Sequence, residues 1–237
     1  MTHTYLNFSS GRFVRLLSGL TCLLVLLHVI SLGLLSYDIN PFSEVLVEKF
    51  SLEGEGNFPA FFSAFLLLLA AVLFFTICTA TRLKKEISWG YWGGLALIFT
   101  FLSLDEATQI HEKLDTDLIW SSFNLTGLVA WPWVFIYGSL SLCVAIFYLR
   151  FWLGLPGRFR FAFALAATVY VGSALGFEML EALEYTTQGG ATARFMVLTS
   201  LEEIFEMTAI VYLIATQFKY IHTYFPVLHI SLAQPIQ

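Results

Sequence analysis

Apolar residues in this chain neither alternate nor keep to one helical face. They come in nearly unbroken runs whose length matches a bilayer. A helix rises about 1.5 Å per residue and the hydrocarbon core is about 30 Å thick, so about 20 apolar residues cross it once. Six runs qualify: Leu16–Leu35, Phe58–Ala80, Ile87–Leu104, Gly127–Leu149, Phe161–Leu183 and Ala191–Phe218. The pattern predicts an all-α polytopic membrane bundle with six transmembrane helices, forming a single domain over residues 1–237. The third helix is expected to continue through DEATQIHEKL to about residue 118, beyond the bilayer. Arg12 and Arg15 before the first run give it the look of a leader. The run is nevertheless of full span length and ends in LLSYDIN without a small-residue cleavage site, so a retained helix is expected.

The polar positions between the runs set an orientation. Arg12, Arg15, Arg82, Lys84, Lys85, Arg150, Arg158, Arg160 and Lys219 fall on one side, and Lys49, Lys113 and Arg194 on the other. Basic loops stay in the cytoplasm, which predicts an integral membrane protein with both termini cytoplasmic. Composition agrees: 58% of residues are hydrophobic and 12% charged, where soluble domains have about 45–50% and about 25%. That excludes a soluble globule and a disordered chain. With 12 Lys and Arg against 17 Asp and Glu, and no basic stripe, nucleic-acid binding is excluded as well. Cys22, Cys78 and Cys143 lie inside spans, where thiols act as small apolar groups and a disulfide framework is not expected. Gly90-x-x-x-Gly94 and Gly172-x-x-x-Gly176 have the spacing that permits close helix approach, and packing is the simplest reading of both.

Against this background the acids stand out. Asp105, Glu106 and Glu112, with His111, cluster on the third helix; Glu178, Glu181 and Glu184 on the fifth; Glu202, Glu203 and Glu206 on the sixth. Counted from Lys85, Arg160 and Lys219, residues Asp105, Glu178 and Glu203 lie roughly 30, 27 and 24 Å along their helices, at one level in the outer half of the bilayer. At 100° per residue, Asp105, Thr108, Gln109, Glu112 and Thr116 share a stripe, Glu106 flanks it and His111 points elsewhere. Glu178 and Glu181 are neighbours at i, i+3, with Tyr170 and Ala174 continuing that face inward. Glu206 neighbours both Glu202 and Glu203.

Ionisable groups at membrane depth cost on the order of 2.5–3.5 kcal/mol each and turn toward the bundle interior or water. Basic partners, protonation or a bound cation can neutralise them, and the external side has few bases. A bound divalent metal is the sharpest reading, with Asp105, Glu106, His111, Glu112, Glu178, Glu181, Glu202, Glu203 and Glu206 as candidate ligands or proton-transfer groups. The donor set does not distinguish Mn, Fe, Zn, Ca or Mg. Glu184, followed by Thr186, Thr187 and Gln188, reads as an interfacial residue, and His28 as a histidine satisfied by a neighbour. Asn57 before Pro59 reads as a helix cap, with Glu55 and Asn57 candidates for the mouth of the acidic site. Trp131-Pro132-Trp133 reads as an aromatic interface belt.

The run FLSLDEATQIHEKL, with EGNFPAFFS before the second helix and LEEIFEM in the sixth, resembles an uncharacterised group of multi-pass bacterial membrane proteins. The resemblance implies a bacterial plasma membrane and brings no activity with it. A looser similarity is to carboxylate-bridged di-iron bundles. Here Glu178-x-x-Glu181 and Glu203-x-x-Glu206 keep the spacing but lack the histidine. The expectation is a membrane metalloprotein acting on a lipid or small apolar substrate. A proton- or cation-coupled transporter is one alternative, and an accessory subunit of a larger membrane complex is another. The bilayer is the expected partner in each case.

Overall fold

The computed structural model describes residues 9–37, 39–113 and 125–226, with the side chains of Glu112 and Lys113 outside the description. Every regular element among these residues is helical: α1 (Ser10–Tyr37), α2 (Pro41–Phe50), α3 (Phe58–Leu83), α4 (Trp89–Thr108), α5 (Ile110–Lys113), a single 3-10 turn at Gly127–Val129, α6 (Trp133–Leu153), α7 (Gly157–Gln188) and α8 (Ala193–Tyr224). Four of them, α1, α3, α6 and α7, are long and apolar enough to cross a membrane. Six were expected. The two that fall short are α4, which opens on Trp89-Gly-Tyr-Trp-Gly-Gly94 and closes on Asp105-Glu106, and α8, interrupted by Glu202, Glu203 and Glu206. The same carboxylates that single these helices out chemically dilute their apolar character.

Local chemistry explains the boundaries. Asn57 caps α3 by accepting from the Ala60 N–H at 3.1 Å, with Pro59 in the first turn. Its amide also donates to the Ser51 carbonyl at 2.7 Å, tying the preceding loop down. Helix α2 has no counterpart in the apolar pattern, yet it carries its own signal in Asn40-Pro41-Phe42-Ser43. The Asn40 side chain accepts from the Phe42 and Ser43 N–H groups at 3.0 and 3.1 Å, and Ser43 Oγ accepts from the Asn40 N–H at 3.0 Å. The fourth run, expected from Gly127, becomes an α-helix only at Trp133. Gly127 has φ +67°, and Pro132 has no N–H to join a ladder, so the chain turns before α6 begins.

The third run departs most. Helix α4 stops at Thr108 because Gln109 adopts a left-handed conformation, φ 56° and ψ 45°. The expected continuous helix to about residue 118 is therefore broken, and residues 114–118 of that expectation lie outside the described residues.

Helix α3 is the centre of the bundle, packed against α4 and α8, while α1 lies along α8 and α7 runs beside α8. Leu66, Ala70, Phe74 and Ile77 of α3 are fully enclosed. Trp92 of α4 sits among Phe151, Phe163 and Tyr220, with ring centroids 5.0, 5.8 and 4.9 Å away. Polar groups in this core are tied to backbone: Gln217 Nε2 donates to the Ala70 carbonyl at 2.9 Å and Ser103 Oγ to the Ala64 carbonyl at 2.7 Å. His28 is satisfied as expected. The Leu52 N–H donates to its Nδ1 at 3.1 Å, which leaves the proton on Nε2, 3.0 Å from Ser200 Oγ. Cys22, Cys78 and Cys143 are free thiols in α1, α3 and α6.

Helix α6 is different: little of it is buried, and besides packing on α7 it reaches α4 through the rings of Tyr148 and Phe151. The glycine pairs also depart from the packing expectation. A Cβ on Gly90, Gly172 or Gly176 would meet nothing within 4 Å, and only Gly94 abuts another helix, at Tyr148. Open space, rather than a neighbouring helix, lies against that face of α7.

Removing the α3 cap tests this account of the boundaries. Asn57→Ala is expected to cost about 1–3 kcal/mol, for a lost cap and a lost hydrogen bond to the Ser51 carbonyl, and to lower the midpoint of thermal unfolding in detergent. An unchanged midpoint would contradict it.

Candidate functional site

The space beside Gly172 is part of a cavity of about 1380 Å³ bounded by α4, α6, α7, α8 and the Leu52–Glu55 loop. Ligand pockets typically span about 300–1,000 Å³, so this one is large. Its two ends differ in chemistry. Toward the N-terminal ends of α4 and α7 it is walled by Phe74, Trp92, Phe151 and Phe163. Toward the other end Glu53, Glu55, Asp105, Glu106, Glu178, Glu181, Glu202, Glu203 and Glu206 line it together with His111. The predicted acids of three separate helices thus share one surface. Of the predicted set, Glu112 lies in α5 with its side chain outside the described residues.

Asp105 and His111 owe their relation to the break at Gln109. The reversal brings α5 back over the end of α4, so that the His111 N–H donates to Asp105 Oδ1 at 3.0 Å. His111 Nδ1 lies 3.2 Å from Asp105 Oδ2. An ionised carboxylate only accepts, so opposite an ionised Asp105 the proton sits on Nδ1. A continuous helix would have turned His111 away, as its 100° spacing predicted. The ring is held between Asp105 and Trp133, whose centroid is 4.8 Å away. Trp133 is therefore a buried wall of the site and not part of an interface belt. Asp105 itself is 5% exposed.

Glu106 is the hub of the carboxylates. It lies within electrostatic reach of Asp105, His111 and Glu55, and of Glu203 and Glu206 on α8. A second group forms where α7 meets α8. Glu181 faces Glu202 and Thr199 at hydrogen-bonding range, with Glu178 and Glu206 alongside. Two ionised carboxylates cannot hydrogen-bond each other, so the Glu181–Glu202 pair requires a proton or a cation between them. Glu181 is 3% exposed, and its Oε1 has no hydrogen-bond partner. Among the described residues no Lys or Arg lines the cavity. Lys49 and Arg194 are engaged elsewhere: Lys49 with its neighbour Glu48, and Arg194 with Glu184 at 3.5 Å. Glu184 also accepts from Thr192 Oγ1 at 2.8 Å, which makes it a clasp on the α7–α8 turn and keeps it apart from the cavity acids.

Two lining residues, Glu53 and Tyr137, were not singled out by sequence, and a third, Trp133, was read as part of an interface belt. Glu53 belongs to a loop whose only signal was its position next to Glu55. Tyr137 stands beside Asp105 and is one helical turn from Trp133, yet an isolated Tyr in an apolar run gives no signal. Trp133 was legible as an aromatic but not as a wall. Of the two mouth candidates, Glu55 lines the cavity, whereas Asn57 is buried as a cap. Among the described residues, no group of three or more His, Cys, Asp or Glu is arranged to hold a metal ion. The acids face one space without converging on one point.

A family match covers most of this architecture. Residues 17–220 match the family described as Domain of unknown function (DUF8692). The chain belongs to this family. The match runs from α1 to the last turns of α8, so every described cavity residue falls inside the DUF8692 region. No curated protein and no solved structure matches the chain.

Burial pushes the Glu53 carboxyl above its ordinary value of 4.5. Its charged form is then the costly one in the folded state, and that cost is absent where the group is protonated in both states. Glu53→Gln is expected to raise the thermal midpoint near pH 7, with the gain vanishing below about pH 4 as the wild-type carboxyl protonates. A gain that persists undiminished at low pH would show that its origin is not the Glu53 charge.

Proposed function

We propose that this chain is an integral membrane protein that crosses the bilayer six times and binds positive charge in its carboxylate-lined cavity. The observation that supports this most directly is the mismatch in the lining: nine carboxylates and a single histidine, with no Lys or Arg among the described residues. Desolvated acids repel one another unless protons or cations are placed between them. The termini lie in the cytoplasm, as the nine-to-three bias of Lys and Arg implies. The acids then sit in the outer half of a bacterial plasma membrane. In this reading α4 and α8 cross the membrane because their carboxylates turn inward, away from lipid.

A divalent metal ion is one form of that charge, and an oxygen-rich set with one imidazole suits Mn, Fe, Zn, Ca or Mg. Since the acids do not converge as they stand, a metal would have to draw Glu106, Glu203 and Glu206 together. The remaining pairs hold protons and serve as acid–base groups toward a lipid or small apolar substrate in the apolar end of the cavity. That apolar end also weighs against ion transport, because it offers a cation no polar path to the cytoplasmic side.

Elemental analysis of the purified protein, grown in several media and dialysed against each metal, tests the metal form. The wild type is expected to retain one metal above background, and Glu203→Gln and Asp105→Asn to lose it. A wild type at background in every medium would remove metal from the account.

A further inference from the structure

The cavity is more than its acids. Along α7 its lining runs from Phe163 to Glu181, a rise of about 27 Å. One lipid leaflet contributes about half of the roughly 30 Å hydrocarbon core. The cavity is thus long enough for an extended hydrocarbon chain with a head group at the carboxylates. Its inner half is lined by Phe163, Ala166, Ala167, Val171 and Gly172 of α7, together with Leu95 and Phe99 of α4. Small residues on α7 keep this stretch open, and a Cβ at Gly172 would still touch nothing.

A way in is visible between α4 and α6. These helices meet at two levels. At the cytoplasmic end Tyr91 stacks on Phe151 with centroids 4.8 Å apart, and Tyr148 donates its hydroxyl proton to the Tyr91 carbonyl at 3.0 Å. At the opposite end His111 packs on Trp133, and Phe101 lies 6.5 Å from Tyr137. Between the two levels Leu97 of α4 and Leu140 and Leu142 of α6 line the cavity and are themselves exposed. The opening is framed above and below and apolar at its rim, and it faces sideways, where a membrane helix meets lipid tails.

We infer that the cavity binds a long-chain amine: an amphiphile that enters sideways between α4 and α6, lays its hydrocarbon chain along α7, and sets its ammonium head among the carboxylates. The inference rests on the reading of those carboxylates as a site for positive charge and names the molecule that brings the charge. Two independent observations support it. Glu181 Oε1 is enclosed and without a hydrogen-bond partner beside a carboxylate it cannot approach without a proton or cation, and an ammonium offers three donors. The apolar trough next to it has the length of a lipid chain and opens to the lipid side. A phosphate- or carboxylate-headed lipid fits the trough but is repelled at the head. An inorganic cation fits the head and leaves the trough unexplained.

The test uses the full chain in a nonionic detergent, with octadecylamine, butylamine and stearate as probes. Octadecylamine is expected to bind at least about tenfold more tightly than stearate, the factor a charge-assisted pair against a like-charge clash supplies, and more tightly than butylamine by a similar factor. Glu181→Gln is expected to weaken the long amine and leave stearate unchanged, and Gly172→Trp to weaken the long amine while leaving butylamine unchanged. Because a variant can fail to fold, the wild type is also labelled with a photoactivatable octadecylamine and the adducts mapped. Adducts on α7 between residues 163 and 175 and on the facing side of α4 support the site. Adducts confined to the outer faces of α1 and α3, or equal binding of amine and stearate, overturn it. Loss of amine selectivity with metal still retained removes this inference alone. Retention of neither amine nor metal removes the positive-charge reading with it.

Discussion

The constraint on which this structure turns is the cost of placing many carboxylates around one enclosed space that, among the described residues, no Lys or Arg lines. Helix ends, the inward facing of acids and the open face of α7 can each be read as a response to it. The acids are set where three helices and a loop enclose one space, so that whatever neutralises one neutralises its neighbours. Had Arg194 been the answer, the acids would be expected as separate ion pairs. Arg194 instead closes the α7–α8 turn with Glu184, and the cavity acids are left to one another.

Rigidity and openness are divided between the two halves of the bundle. Helix α3 with α4 and α8 forms a tight core around Trp92, in which buried polar groups such as Gln217 and Ser103 are bonded to backbone carbonyls. That core fixes the registers of α4 and α8, and with them Glu106, Glu203 and Glu206. On the other side α6 is held by aromatic contacts at its ends and by α7, leaving the middle of the α4–α6 interface open. The wall that bears the carboxylates of α4 and α8 is thus the tightly packed one, and the wall opposite it is the looser.

Much of this was legible in the sequence. The runs of apolar residues located every long helix, and Asp105, Glu106, Glu178, Glu181, Glu202, Glu203 and Glu206 do line one cavity. What escaped the pattern did so for local reasons. Gln109 in a left-handed conformation is invisible to periodicity, yet it brings His111 back onto Asp105 and ends α4. Pro132 postponed α6 past Gly127. The short helix α2, too brief to register as a run, was announced only by its Asn40–Ser43 capping box. Gly172 and Gly176 kept a packing spacing with nothing packed on them, because spacing reports what a helix permits and not what lies beside it.

The most direct test of the central claim, that acids of α4 and α8 face one common space, is proximity. With Cys22, Cys78 and Cys143 replaced by Ala, Glu106→Cys is combined with Glu203→Cys and, separately, with Glu184→Cys, and bridging by a short bifunctional thiol reagent is followed in native membranes. The account predicts efficient intramolecular bridging of the 106–203 pair and none of the 106–184 pair. Equal bridging of both pairs, or of neither, would contradict it.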